Sequence, residues 1–231
     1  MSKRKIIFSE DEFYHLYNRG NSKQDIFIDE NDKERFIKLL YISNSQKDVN
    51  FRDDIVSKGI DAWDFDRGDK IVSIGAWVLM SNHFHILLRI SPTSDIGEES
   101  ISLFMKKVCT SYSKYFNKKY ERTGGLFESN FKATHVDSDN YLKYLFSYIH
   151  LNPLKKLYPD WKSNKRFDHK MAESFIENYH WSSYKDYIGN NRPENKILSI
   201  KEFPEYFNSI SSFRNEMFDW FSFTPMSDVG K

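Results

Sequence analysis

Cys109 is the only cysteine among the 231 residues, so no intramolecular disulfide can form and no cysteine-based zinc site can be built. Long hydrophobic runs are missing as well. No stretch approaches the roughly eighteen apolar residues of a membrane span, and the N-terminus MSKRKIIFSEDEF lacks the apolar core of a signal peptide. A cytoplasmic chain with no membrane partner is the expectation. Charge of one sign is not in excess either: 34 Lys and Arg stand against 33 Asp and Glu, a formal net charge of +1. Neither an internal repeat nor a low-complexity linker interrupts the chain. What remains, 39% hydrophobic and 29% charged residues, is the composition of a globular protein with a proper core, one large domain or one domain plus a tail.

The balanced total hides an uneven distribution. Between Phe104 and Lys156 the bases Lys106, Lys107, Lys114, Lys118, Lys119, Arg122, Lys132, Lys143, Lys155 and Lys156 face only Glu121, Glu128, Asp137 and Asp139. A positive mid-section of this kind is either a solvated helix face or a footprint for phosphates. Aromatic residues reach 17%, with 14 Tyr and 20 Phe; most belong in a core, although rings interleaved with lysine also suit base stacking.

Hydrophobic periodicity orders the chain. Phe13 to Asn18 alternates, is rich in β-formers and breaks at Gly20, so it reads as a strand. Asp32 to Tyr41 has an acidic start and carries Phe36, Ile37, Leu39 and Leu40 at helical spacing. Residues 43–70 are polar and rich in aspartate, a surface insertion. Ile71 to Leu79 and Phe84 to Ile90 are β-prone runs joined at Met80-Ser81-Asn82, which suggests a hairpin. A long helix follows from Ser100 to Tyr120, then Gly124-Gly125, a further strand within Leu126 to Val136, and a helix capped by Asp137-Ser138-Asp139 that runs to about Leu151 and stops at Pro153. The order β-α-β-β-α-β-α predicts an α+β fold: a ferredoxin-like antiparallel sheet with helices on one face, followed by a mainly helical C-terminal extension. Residues 1–153 are expected to form the principal domain and residues 154–231 the extension, packed on the domain or following it.

The segment Asn82 to Ile90 carries the strongest chemistry. Alternation along a strand sends Phe84, Ile86, Leu88 and Ile90 to one face and His83, His85, Leu87 and Arg89 to the other. Two imidazoles two residues apart on one strand can share a divalent ion, each through one ring nitrogen. Taken alone, His-x-His more often marks two ordinary hydrogen-bonded histidines, and a third ligand is needed to hold a metal well.

Gly75-Ala76-Trp77-Val78-Leu79-Met80-Ser81-Asn82-His83-Phe84-His85 resembles the histidine-hydrophobe-histidine block of the single-tyrosine HUH (insertion sequence 200-like) transposases, and within them the REP-associated tyrosine transposases. Tyr14-His15-Leu16-Tyr17-Asn18-Arg19-Gly20 resembles that family's first strand. Tyr115-Phe116-Asn117 with Gly124-Gly125-Leu126-Phe127-Glu128 and Phe131-Lys132 resembles its central helix and the strand after it. Tyr148-Ile149-His150-Leu151-Asn152-Pro153 resembles its catalytic helix, and Trp181-Ser182-Ser183-Tyr184 a later block. Together these cover about residues 13–190. The resemblance implies an HUH transposase/nuclease domain in which a tyrosine attacks a phosphodiester of single-stranded DNA at hairpin-associated sites. The protein becomes joined to the 5′ phosphate and a 3′ hydroxyl leaves. It also implies a divalent cation, Mg2+ or Mn2+, held by the two histidines and a polar residue four positions after the tyrosine.

Several tyrosines compete for that role: Tyr112, Tyr115 and Tyr120 on the central helix, and Tyr141, Tyr144 and Tyr148 on the later one. At about 100° per residue, Tyr141, Tyr144, Tyr148 and Asn152 form one stripe beside the apolar face of Leu142, Leu145, Phe146 and Ile149. Tyr148 and Asn152 stand one turn apart and match the family's tyrosine-x-x-x-(Asn/Gln) pattern. The resemblance therefore makes Tyr148 the nucleophile, with Tyr144 the runner-up, and makes His83, His85 and Asn152 the metal ligands. Because Asn152 precedes proline, its amide is expected just past the helix end. His150 points away from Tyr148 and is left out of the site. Lys143, Lys155 and Lys156 lie nearby in sequence but are not placed by it.

Arg19, Lys106, Lys107, Lys114, Lys118, Lys119, Arg122 and Lys132 are the candidates for DNA phosphates. The sequence departs from the family at Ser129-Asn130, where relatives often carry Gly-Arg, and in the 43–70 insertion and the long C-terminal tail. Monomer and homodimer both remain open. Two other readings compete: a domesticated, non-catalytic nucleic-acid-binding module, which should have lost His83, His85, Tyr148 or Asn152 but has not, and a simple metal hydrolase, which needs further ligands such as His135 or Asp137.

Overall fold

A computed structural model describes residues 6–159, 168–205 and 209–219 of the chain. Four strands form one antiparallel sheet: β1 (Phe13–Arg19), β2 (Val72–Leu79), β3 (His83–Ile90) and β4 (Lys132–Val136), in the spatial order β2-β3-β1-β4. Helix α1 (Glu30–Ile42) joins β1 to β2, α2 (Ser100–Lys119) joins β3 to β4, and α3 (Asp139–Leu151) follows β4. This order of elements and strands is the ferredoxin-like arrangement expected from the sequence. Beyond α3, helices α4 (His169–Asn178), α5 (Tyr184–Tyr187) and α6 (Ile210–Asp219) make the extension helical where it is described. The parts of the extension at 160–167, 206–208 and 220–231 lie outside the described residues, as do residues 1–5.

Alternation along β3 decides which helix covers which face. Phe84, 0% exposed, meets Phe36 of α1 at 4.8 Å between ring centroids, and Phe36 meets Tyr112 of α2 at 5.1 Å. Such ring pairs each add about 0.5–1.5 kcal/mol beyond the area they bury. The expectation of helices on one face describes α1 and α2. Helix α3 lies on the other face, where His85 meets Tyr148, so the sheet is covered on both sides and the histidine face is enclosed.

Capping and ion pairing fix α1 against α2. Asp29 and Asp32 form a capping box at the start of α1. The fully buried Asp32 carboxylate also accepts hydrogen bonds from Lys119, Tyr115 and Tyr120. Burial alone would raise this carboxyl, but the bonds from Lys119, Tyr120 and two backbone amides outweigh it and hold the group below its usual range.

Three expectations change. Residues 43–70 are not simply a surface insertion: Asn44 is fully buried, donating to the Val72 carbonyl and accepting from the Ile71 and Val72 amides, and Ala62 and Trp63 are buried against α1. The strand expected within 126–136 is confined to Lys132–Val136, with Phe127 making one isolated bridge to Gly20. Pro153 does not force Asn152 out of helical geometry. Asn152 keeps αR angles (φ −52, ψ −38) and the chain runs on as a 3₁₀ turn through Lys156, with proline in its first turn, where its missing N–H costs nothing.

The C-terminal extension closes the free edge of β2. Leu79 donates to the Trp181 carbonyl (2.9 Å), Ser183 to the Trp77 carbonyl (2.9 Å) and Ser199 to the Ile74 carbonyl (2.9 Å), which blunts an edge that would otherwise offer itself to another chain. Gly75 sits at a bulge in β2 where a Cβ would come within 2.6 Å of the Phe203 ring, so glycine is required for that ring to dock.

Candidate active site

Register brings the site together from three elements. Tyr17 lies opposite His85 and Arg19 opposite His83 across the β1–β3 ladder, so His15, Tyr17 and Arg19 of β1 share the face of His83 and His85. Helix α3 crosses above them. The Tyr148 ring stands edge-on to His85 (5.5 Å, 77°) and to His15 (6.1 Å, 82°). The His83 and His85 rings are 5.2 Å apart. Along α3, Tyr141, Tyr144 and Tyr148 stack in a ladder with centroids 6.2 and 5.9 Å apart, the stripe expected from helical spacing.

Each histidine is oriented through its Nδ1. The His83 Nδ1 lies 2.6 Å from the Asn82 Oδ1, and the Asn82 Nδ2 donates to the Lys23 carbonyl at 3.2 Å. With the amide fixed that way round, Oδ1 can only accept, so His83 carries its proton on Nδ1 and presents a lone pair at Nε2. His85 Nδ1 lies 2.9 Å from His15 Nε2 in a buried contact, the two rings nearly parallel.

Asn152 is fully buried, one turn beyond Tyr148. Its amide lies close enough to affect both neighbours, favouring protonated His83 and lowering the Tyr148 phenol, but neither contact reaches hydrogen-bond geometry. Both Nδ2 and Oδ1 are buried without a hydrogen-bond partner among the described residues. An unmade bond to a buried amide costs about 1–3 kcal/mol, so this pair of atoms fits a ligand that the described residues do not supply. Two imidazoles and an amide oxygen are a donor set suited to a divalent cation, and in that sense the residues fit. Among the described residues no group of three or more His, Cys, Asp or Glu is placed to hold a metal.

Burial disfavours the charged forms of His83 and Tyr148. Burial pushes His83 down to about 4, helped by the charges of Lys155 and Arg19 and opposed by Asn152. Burial pushes the Tyr148 phenol up to about 12, with Tyr144 and Tyr17 adding to the rise and Asn152 opposing it. At neutral pH the phenol is protonated and needs a cation beside it to become a nucleophile.

Three residues of this constellation were not assigned to the site from sequence: His15 and Tyr17, which had no role there, and Lys155, which was named as a nearby cation but not placed. Lys155 places its Nζ 5.7 Å from the centre of the Tyr148 ring and is partly buried, which lowers it below the usual lysine value. The alternation of Tyr14 to Arg19 carried the signal for His15 and Tyr17, since it puts both on one side of β1. Lys155 had no such signal, because it reaches the site only through the 3₁₀ turn after Asn152. His150 is structural, as expected: it is fully buried, bonds Ser183 Oγ at 2.8 Å and is pushed down to about 3. His135 bonds Glu12 and stands opposite Tyr14, whose side chain lies on the face away from His85, so it supplies no third ligand.

The expected DNA contacts divide. Lys106 and Lys114 are exposed and line a cavity of about 540 Å³ between α2 and the 127–131 loop, with Asn18, Thr110, Phe127 and Phe131. Lys118 is exposed, and Lys132 is exposed at a position paired with Tyr17. Arg19 is ion-paired with Glu128 at the rim near His83. Arg122 packs over Phe116. Lys107 is committed to the carbonyls of Ser45 and Lys47, both at 2.9 Å, and Lys119 to Asp29 and Asp32. Of the lysines near α3, Lys143 pairs with Asp139 and Lys156 lies over Tyr179.

Part of the chain is similar to a known family. Residues 66–152 match the family described as "Transposase IS200 like", a span that holds His83, His85, Tyr148 and Asn152. No curated protein matches the chain. Among solved structures, one described as a REP-associated tyrosine transposase bound to a REP hairpin aligns at 13% identity and a TM-score of 0.45, over 84% of this chain and 90% of that one. A transposase from Deinococcus radiodurans R1 aligns at 15% identity and a TM-score of 0.33, over 64% and 95%. Over residues 66–152, somewhat more than a third of its length, this chain is similar to the IS200-like transposases.

Proposed function

We propose that the protein is a metal-dependent single-stranded DNA endonuclease and strand transferase of the REP-associated type, acting at hairpin-associated sites with Tyr148 as nucleophile. The observation that carries this reading is the juxtaposition of Tyr148 and the unpaired Asn152 amide, one turn apart on α3, with His83 and His85 on the strand beneath. Tyr148 Oη forms a bond to the scissile phosphorus and the P–O3′ bond breaks. The phenolic proton passes to solvent, and the leaving 3′ oxygen takes up a proton. The protein is then joined to a 5′ phosphate, and attack by a 3′ hydroxyl on that linkage rejoins a strand.

His83, His85 and Asn152 would hold a Mg2+ or Mn2+ ion, which when bound polarises the phosphate and offsets its developing charge. Lys155 and Arg19 add positive potential at His83, beside the same phosphate, and Lys155 lies over the Tyr148 ring. Lys106, Lys114, Lys118 and Lys132 are the free cations best placed to bind DNA phosphates outside the site.

Incubation with end-labelled hairpin oligonucleotides and Mn2+, followed by a denaturing gel, tests the reading. A covalent protein–DNA adduct that needs the metal and is lost in Tyr148→Phe is the expected result. An adduct that persists in Tyr148→Phe excludes Tyr148 as sole nucleophile, and binding with no adduct under any condition favours a non-catalytic DNA-binding protein.

A further inference from the structure

His15 lies on β1, outside the span that matches the family and outside every ligand set considered above, yet it makes the closest contact to His85: Nε2 to Nδ1 at 2.9 Å, buried, with ring planes 23° apart. One proton sits between those two nitrogens, and its position decides what His85 can do. If His15 donates, the His85 proton must be on Nε2 and that nitrogen has no lone pair for a ligand. If His85 donates, its Nε2 carries the lone pair and His15 carries its own proton on Nδ1.

The neighbouring histidine shows how the fold solves the same problem once. Lys23, through its carbonyl, fixes the Asn82 amide, the amide accepts from His83 Nδ1, and His83 is thereby left with a free Nε2 lone pair. We infer that His15 is the counterpart of Asn82: a positioning residue that accepts a hydrogen bond from His85 Nδ1 and locks His85 as an Nε2 ligand. This inference rests on the proposed metal role of His83 and His85. The two acceptors come from opposite sides, Asn82 from the β2–β3 turn and His15 from the adjoining strand. The pair of imidazoles is thus set before any ion arrives. Second-layer acceptors of this kind raise ligand basicity, and their loss typically costs about 10–100-fold in metal affinity.

The test separates the positioning role from the metal reading. Nitrogen-15 NMR of the metal-free protein reads the tautomer directly. In the wild type, His85 Nδ1 should give the shift of a protonated ring nitrogen and Nε2 that of an unprotonated one. His15→Gln keeps an acceptor oxygen and should preserve that pattern; His15→Leu removes it and should let His85 drift to the Nε2–H tautomer. Mn2+ titration followed by electron paramagnetic resonance should show about 10–100-fold weaker binding in His15→Leu and much less loss in His15→Gln. A wild-type His85 protonated on Nε2 overturns the inference, as does a folded His15→Leu protein with unchanged tautomer and Mn2+ affinity. If His15→Leu fails to fold, the wild-type spectrum and the glutamine variant still decide the point. A wild-type protein with the expected tautomer but no Mn2+ binding would instead defeat the metal reading alone.

Discussion

The two faces of the sheet are lined by alternate residues of the same strands, and they differ in kind. Toward α1 and α2 stand Phe84, Ile86 and Leu88, meeting Phe36 and Tyr112, all fully buried; the Tyr112 hydroxyl is satisfied by the Ile26 carbonyl. Toward α3 stand His83, His85, His15 and Tyr17 under Tyr148, a layer of rings that titrate, beside an amide with both polar atoms unpaired. A packing rule kept on one side of a strand and broken one residue along is a mark of function, because the broken rule lowers stability and persists only where something else is gained. Stability and chemistry should therefore separate cleanly between the faces.

The largest separation is expected at Tyr148. Tyr148→Phe removes one oxygen at the site and should lower adduct formation by about 10³-fold or more, since that oxygen is the proposed nucleophile. Its unfolding free energy should stay within about 1 kcal/mol of wild type. Adduct assays and urea denaturation on the same preparation check both halves. Phe36→Ala is the converse. Truncating a fully buried ring should cost about 3–5 kcal/mol of stability while leaving adduct formation per folded molecule unchanged. A Phe36→Ala protein that is folded but inactive would break the comparison.

The difference between the faces was only partly legible in the sequence. Strand alternation at Phe84-His85-Ile86 and helical spacing at Tyr141, Tyr144 and Tyr148 are short-range periodicities, and they gave the histidine face and the tyrosine stripe. What they could not supply was long-range register. His15 meets His85 because β1 pairs with β3 so that Tyr17 opposes His85, seventy residues apart in sequence. The same holds for the lysines of α2. Lys106 and Lys107 look alike in sequence, yet the carbonyls of Ser45 and Lys47 capture one and leave the other facing a cavity. Asn152 does sit just past the end of α3, as expected, but with helical angles: the bias of a residue before proline away from helix is weak enough for the 3₁₀ turn at Asn152–Lys156 to override it.

A smaller effect, in stability rather than rate, should follow pH. Burial holds His83 near 4 and His150 near 3, both below the ordinary histidine value. Between about pH 6.5 and 4 the unfolded chain therefore binds more protons than the native one, so stability rises with pH across that window and is lost as pH falls through it. Each group should contribute on the order of 2 kcal/mol of loss by pH 5 relative to pH 7. Urea unfolding at the two pH values measures the sum, and His83→Asn should remove about half of it. A profile unchanged in that variant would place His83 in water, contrary to its enclosure by α3.

The smallest effects are expected where the chain meets DNA, and there the contrast is between lysines on one helix. Lys106 and Lys114 face the cavity between α2 and the 127–131 loop, whereas Lys107 and Lys119 are spent on carbonyls and on the buried Asp32. Each phosphate neutralised by a free lysine releases counterions, and for single strands the slope of log affinity against log salt is about −0.7 per contact. Replacing Lys106 and Lys114 together with alanine should make that slope shallower by about 1.4, with the unfolding free energy unchanged. Lys119→Ala should do the reverse, leaving the slope alone and lowering stability, because it strips the buried Asp32 carboxylate of its cation. Fluorescence anisotropy with a labelled single strand at several salt concentrations distinguishes the two. Equal slopes in the double variant and the wild type would mean that the cavity lysines do not touch the strand, and that DNA approaches from the α3 face alone.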